Sequence, residues 1–338
     1  MPGPPIVVVR SRAGTRFASA QLEGAYQAAS EAQRLSDAAG DIWGQVDVAW
    51  IRASMAFNLG RLDEAVSAAR EAIPLSKRIG HWGNAFFCED IVYNGRFAAG
   101  DFDCATEAAA VVDEYERLHY VAWGVKFKVD LANIARVRGR IDEAVEWCHR
   151  AHTPERNHWG GYAHAALALT FAQAGDRRVS QTLRDALPYV PRAGHPAPYG
   201  RWPTLNLVIE ALATAGLTEE AAALYPVAED MLGLGYSTMW AGAALPRTTA
   251  GIAAACAHEW ARAEEHHQIA IGQADSMALR VCQPVARLWY ADMLCARNDA
   301  GDRKRAHDLL NEAISMFESL GMPLYARQAR EKLVAFSS

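Results

Sequence analysis

The cysteines are too few and too scattered to build anything together. The six of them, Cys88, Cys104, Cys148, Cys256, Cys282 and Cys295, include no CxxC pair. That favours free thiols in a reducing cytoplasm over disulfides. Long apolar runs are also missing. Ile6 to Val9 is too short for a signal-peptide core, and no stretch approaches the roughly 18 apolar residues of a membrane span. The expectation is a soluble cytoplasmic protein with no membrane partner. There is no basic surplus either: 34 Lys and Arg stand against 39 Asp and Glu, a net charge of −5. A nucleic-acid binder needs a basic stripe to displace counterions, so no direct nucleic-acid partner is expected. Catalytic signatures are absent in the same way. The chain contains no GxxxxGK[ST], no GxSxG and no Gly-rich dinucleotide loop. His258-Glu259 is not HExxH, because Arg262 stands four positions on. No cofactor and no enzyme activity are predicted.

What the chain does have is self-similarity. Residues 22–36 match 62–76 at a shift of 40: Leu22 on Leu62, Ala25 on Ala65, Ala28 and Ala29 on Ala68 and Ala69, Leu35 on Leu75. A fixed period in this range marks a stacked-repeat architecture with one continuous core. A turn signature recurs with it. It reads Gly60-Arg61-Leu62-Asp63-Glu64-Ala65, then Gly100-Asp101-Phe102-Asp103-Cys104-Ala105 and Gly139-Arg140-Ile141-Asp142-Glu143-Ala144. Copies begin again at Gly175, Gly216 and Gly301, with His258 taking the glycine place between the last two. Glycine ends one helix because the chain must there take φ > 0. The acids that follow suit the positive end of the next helix. The alanine sits where two helices cross closely.

The pattern resembles the tetratricopeptide repeat over about residues 20 to 335. The resemblance implies an all-α fold, a right-handed α-α superhelix of about seven helical hairpins of some 40 residues. Trp289-Tyr290-Ala291-Asp292-Met293-Leu294, with Gly301-Asp302-Arg303, Leu309-Leu310-Asn311-Glu312-Ala313 and Leu320-Gly321-Met322-Pro323, is similar to the C-terminal repeat arrays of large bacterial ATPase, nucleotide-cyclase-like or LuxR-type regulators. That likeness implies a sensory or protein-interaction scaffold whose output domain lies elsewhere. Its partner would be a protein or peptide, or a small effector, with self-association possible. Two alternatives stand beside it: a free-standing adaptor of the same fold, and an (α/α) toroid glycosidase using two carboxylates.

The turn signatures divide the chain into an irregular segment 1–17, a first half-array 18–187, a Pro-rich loop or hinge 188–203 and a second half 204–338 with a closing helix. Five of the fourteen prolines fall at 188, 191, 196, 198 and 203, where each removes a backbone donor. The first helix aligns with second helices of hairpins, so its partner is missing from the register. This suggests a piece of a longer protein, or else a cap made by Ile6 to Val9.

Two clusters are candidate sites. In the resembled family the concave groove is lined by fixed places of each first helix. Here those places hold Asp47, Trp50, Ser54 and Phe57, then Asp90 and Asn94, then Lys126, Asn133 and Arg136. Asn94 and Asn133 share the place from which an asparagine clamps a peptide backbone, since its amide both donates and accepts. Asp90 and Asp130 intrude on the basic cluster that a C-terminal carboxylate would need. Trp43, Trp82, Trp123, Trp159, Trp202 and Trp240 recur near helix starts, as ring-sized fillers between repeats or as anchors in a groove. The second cluster is His149, His152, His158 and His164 with Cys148 and Glu155, whose spacing lacks the paired ligands of a structural zinc site. No metal is expected.

Overall fold

The computed structural model describes residues 6–118, 124–151 and 159–337. The described residues form α-helices and turns. The first half contains α1 (Ile6–Ala18), α2 (Leu22–Ala39), α3 (Ile42–Asn58), α4 (Leu62–Arg78), α5 (Trp82–Ala98), α6 (Cys104–Arg117), α7 (Val125–Val137), α8 (Ile141–Arg150), α9 (Tyr162–Ala174) and α10 (Val179–Ala186). A single 3-10 turn, Leu187–Tyr189, follows. The second half contains α11 (Arg201–Thr214), α12 (Thr218–Ala223), α13 (Tyr225–Gly233), α14 (Pro246–Cys256), α15 (Trp260–Ser276), α16 (Cys282–Arg297), α17 (Asp302–Leu320) and α18 (Pro323–Ser337). Neighbours pair as antiparallel hairpins stacked into an α-α superhelix, the fold expected from the repeat.

The signature turns at Gly60, Gly100, Gly139, Gly175, Gly216 and His258 close the same way. At Gly60 the chain turns left-handed (φ 82); Gly60 N donates to Phe57 O at 3.0 Å and Arg61 N to Ala56 O at 2.8 Å. These bonds satisfy carbonyls that the helix end leaves free. The alanine five places on is buried at Ala65, Ala144, Ala221, Ala263 and Ala306.

The segment 1–17, expected to be irregular, is helical from Ile6 onward. Four consecutive β-branched residues favour extended chain locally. Packing decides otherwise: α1, with Val9 and Ala13 buried, packs on α2, whose stripe of Ala25, Ala28, Ala29 and Ala32 is buried between α1 and α3. The hairpin partner missing from the register is therefore α1. Its turn lacks the signature because Ala20 stands in the glycine place, at φ 57. The same bonds form there nonetheless, Ala20 N to Phe17 O at 3.0 Å and Gln21 N to Arg16 O at 2.9 Å.

The superhelix is wound tightly enough that its second turn lies on its first. Asn58 meets Thr238, and Arg138 meets Leu320 and Gly321, at separations of 180, 182 and 183 residues. Gly139 shows how close the approach is: a Cβ there would lie 2.7 Å from Pro323 Cγ. Residues 188–203 do not hang free of this stack. Tyr199 is buried, and its N–H donates to Ala18 O at 3.1 Å.

Candidate functional site

Tight winding decides what becomes of the concave face. The irregular segment 236–245, between α13 and α14, runs along it and is gripped by asparagines. Asn58 Nδ2 donates to Thr238 O at 3.1 Å, Asn206 Nδ2 donates to Ala244 O at 3.0 Å, and Asn94 Oδ1 accepts from Ala241 N at 2.6 Å. Asn94 does clamp a backbone, but the backbone belongs to its own chain. Phe57 is likewise covered, stacked on Trp240 with centroids 4.4 Å apart and planes 7° from parallel. Trp240, placed by sequence near a helix start, lies in this segment instead.

Asn133 and Arg136 are fully buried on α7, with Arg136 held by Gln173 of α9 and Tyr325 of α18. Asp47 sits at the rim, paired with Arg10 at 2.7 Å. The other four groove candidates, Trp50, Ser54, Asp90 and Lys126, come together around one cavity of ≈ 60 Å³. Phe17, Phe87, Ile91, Trp159, Tyr199 and Trp240 complete its wall. Half-buried Phe17, Trp50 and Phe87 form its outer side: Trp50 meets Phe17 edge-on at 4.8 Å and stacks on Phe87 at 4.9 Å.

The floor is charged. Lys126 Nζ bonds to Asp90 Oδ2 and, at 2.6 Å, to Asp130 Oδ2, and it lies 3.9 Å from the centroid of the Trp240 ring. Asn94 donates to Asp90 Oδ1 at 3.0 Å and to Asp130 Oδ2 at 3.0 Å, and Tyr162 OH donates to Asp130 Oδ1 at 2.8 Å. Two carboxylates against one ammonium leave an excess negative charge in a place water hardly reaches. Burial therefore pushes the Asp90 carboxyl up to about 8, with Lys126 opposing and Asp130 reinforcing the shift. At neutral pH the site relieves the excess by keeping a proton. Burial also raises Tyr162 and Tyr199 well above the usual phenol range, so both stay neutral hydrogen-bonding groups.

Helix-place counting found the residues on α3, α5 and α7. It does not reach Phe17, Trp159, Tyr199 and Trp240, which enter the site from α1 and from irregular chain; the recurrence of tryptophans marks Trp159 and Trp240 alone. The available signal was aromatic residues among Pro and Gly, as in Pro196 to Gly200 and Gly233 to Gly242. Of the remaining tryptophans, Trp43 is exposed beside His81, Trp202 is buried, and Trp123 lies outside the described residues. His152, Glu155 and His158 also lie outside them, and His149 is exposed. Among the described residues no His, Cys, Asp and Glu group has the arrangement to hold a metal ion. Nor is any described helix long and apolar enough to cross a membrane.

No family model matches the chain, and no curated protein matches it. Among solved structures, that of a Rap protein complexed with competence and sporulation factor aligns over 98% of this chain and 97% of that one. Its identity is 12% and its TM-score 0.45. Likeness at that level transfers neither ligand nor mechanism.

Proposed function

We propose that this protein is a non-catalytic binding scaffold, a cytoplasmic sensory or protein-interaction array, and that the cavity over Asp90 is its recognition point. The observation that carries the reading is the pairing of aromatic walls with a floor whose carboxylates outnumber its ammonium. Aromatic faces attract cations, most strongly where water is excluded, and an arriving ammonium would replace the proton held by Asp90. At ≈ 60 Å³ the cavity takes only the end of a ligand, such as the terminal ammonium of a peptide side chain or of a small effector. The rest of the ligand would lie across Trp50 and Phe87. In this reading the halves 18–187 and 204–338, joined through 188–203, respond as one superhelix, and occupancy biases an output domain carried elsewhere in a bacterial regulator. A glycosidase would need two carboxylates set apart around a sugar; Asp90 and Asp130 instead grip one lysine.

The test is tryptophan fluorescence, since Trp50, Trp159 and Trp240 all wall the cavity. Butylammonium and the N-acetyl methylamide of lysine should each give a saturable change, at least tenfold weaker in Trp50→Ala. Butan-1-ol should give none. A response to the alcohol equal to that of the amine would reduce the cavity to a gap between rings, and no saturable response to either amine would end the proposal.

A further inference from the structure

A second polar centre lies deeper in the superhelix, outside the aromatic cavity. A chain of hydrogen bonds runs from Gln173 of α9 through Arg136 of α7 and Tyr325 of α18 to Glu210 of α11. Arg136 Nη1 donates to Gln173 Oε1 at 2.8 Å and to Tyr325 OH at 3.1 Å, and Tyr325 OH donates to Glu210 Oε1 at 2.8 Å. Arg136 and Glu210 are both fully buried, and the tyrosine hydroxyl stands between the two side chains. What distinguishes the centre is what it leaves unused. Arg136 Nε and Nη2, both polar atoms of Asn133 and Gln173 Nε2 have no hydrogen-bond partner among the described residues. A buried guanidinium without a carboxylate, next to an unpaired amide, is costly enough to threaten the net stability of a domain. So many orphaned groups in one spot call for a common explanation.

The geometry of the orphans supplies one. Nε and Nη2 form one edge of the guanidinium, the edge that takes a carboxylate with two parallel bonds. The chain uses that edge elsewhere: Arg297 Nε and Nη2 donate to the two oxygens of Asp302, each at 2.8 Å. On Arg136 the same edge is free. Asn133, one turn back on the same face of α7, offers a further donor and an acceptor. Gln173 Nε2 adds another donor. Donors outnumber acceptors, which suits an acceptor-rich guest. Open space comes nearest to the centre at Gln173. Gln173 also lines an open cleft of ≈ 500 Å³ between α9, α11 and α18, rimmed by Thr214, Arg327, Gln328 and Lys332. Thr214 Oγ1 and Gln328 Oε1 there lack partners among the described residues too.

We propose that Arg136, Asn133 and Gln173 form a buried site for a small carboxylate, which enters through the cleft between α9 and α18 and seats its two oxygens on the free edge of Arg136. Occupancy ties α7, α9, α11 and α18 together, so the ligand would clamp the second superhelical turn onto the first. This site stands apart from the proposed ammonium pocket and from its residues.

The experiment is thermal unfolding and calorimetric titration of the full chain with acetate, lactate, glycine, succinate and glutamate, at constant ionic strength, against chloride and sulfate. At least one carboxylate should raise the melting temperature saturably, with chloride and sulfate inert. Trp50→Ala should keep that response. Arg136→Lys, which retains charge but loses the two-pronged edge, should weaken it at least tenfold. Asn133→Asp places an internal carboxylate beside Arg136; it should raise the melting temperature of the free protein and abolish the response, a readout that survives if Arg136→Lys fails to fold. Silence from the whole panel at 10-millimolar order, equal responses to chloride or sulfate, or an undiminished response in Asn133→Asp would each overturn the proposal, leaving internal water as the partner of these atoms.

Discussion

The Asp90–Lys126–Asp130 cluster should respond very unequally to losing its different members. In Lys126→Met the ammonium disappears while Asp90 and Asp130 stay buried, 3% and 2% exposed. Breaking a buried ion pair from one side costs about 3–5 kcal/mol, and the cation above Trp240 is lost with it. In Asp90→Asn at neutral pH little charge is removed, because burial already keeps that carboxyl protonated up to about 8. The amide has nearly the same shape and still accepts from Lys126, so the cost should stay near that of one altered hydrogen bond, about 1 kcal/mol. Charge counting on ionised residues would have ranked the two substitutions as equals.

The pH dependence sharpens the contrast. Unfolded, Asp90 releases its proton at the ordinary carboxyl value near 4; folded, it holds the proton to about 8. Between those limits the folded state binds the extra proton, so stability is greatest below the lower value and falls as pH rises toward the upper. The slope for one proton is at most about 1.4 kcal/mol per pH unit. The groups facing Asp90 are Lys126 and Asp130 on α7, Tyr162 on α9 and Tyr199 ahead of α11. Both tyrosines are raised further from this range, so neither mimics the effect. Guanidinium unfolding followed by tryptophan fluorescence from pH 5 to 9 should show the wild type losing its advantage over Asp90→Asn as pH climbs. A constant difference across that range would refute the reasoning. So would an Asp90→Asn cost at pH 6 as large as that of Lys126→Met.

Two further outcomes are expected. His267 is fully buried against Tyr290, and burial depresses its ring to about 3 with a smaller push from His266. The unfolded chain gains a proton that the folded chain refuses below about 6.5. Stability should therefore fall on acidification from that point, and the melting temperature of His267→Phe should drop less steeply between pH 6.5 and 4. Gly139→Ala combines φ 73 with a Cβ 2.7 Å from Pro323 Cγ. It should cost about 1–3 kcal/mol, and hydrogen exchange should speed up most in α18, the element pushed away.

The sequence displays this architecture because a hairpin repeat writes its turns in small residues that cannot be swapped freely. Gly60, Gly100, Gly139 and Gly301 sit at φ > 0, and the buried alanines after them are set by helix contact. That signal fails only where another residue bears the strain, as Ala20 does at φ 57. α1 was lost to view for that reason, and not because its packing is unusual. The site was half legible on the same grounds. Trp50, Ser54, Asp90 and Lys126 sit at places fixed by the repeat, so counting reaches them. Tyr199, Trp240 and Tyr325 arrive by the coiling of the superhelix. No local period encodes how far the array must wind before Thr238 meets Asn58.

That winding also changes the meaning of the residues that were legible. Asn94 and Arg136 carry the chemistry of a groove, an amide that reads backbone and a guanidinium that reads carboxylate. In an open superhelix both would face a partner. Here Asn94 is satisfied by Ala241 at 2.6 Å, which makes it a staple between turns. Arg136 reaches Tyr325 and Gln173 with one nitrogen and leaves its other edge bare. Residues of equal promise in sequence are thus separated by one physical criterion, whether the fold supplies the partner their chemistry requires. By it, Asn94 belongs to the architecture, whereas Arg136, with one edge unpartnered, is where a ligand is proposed.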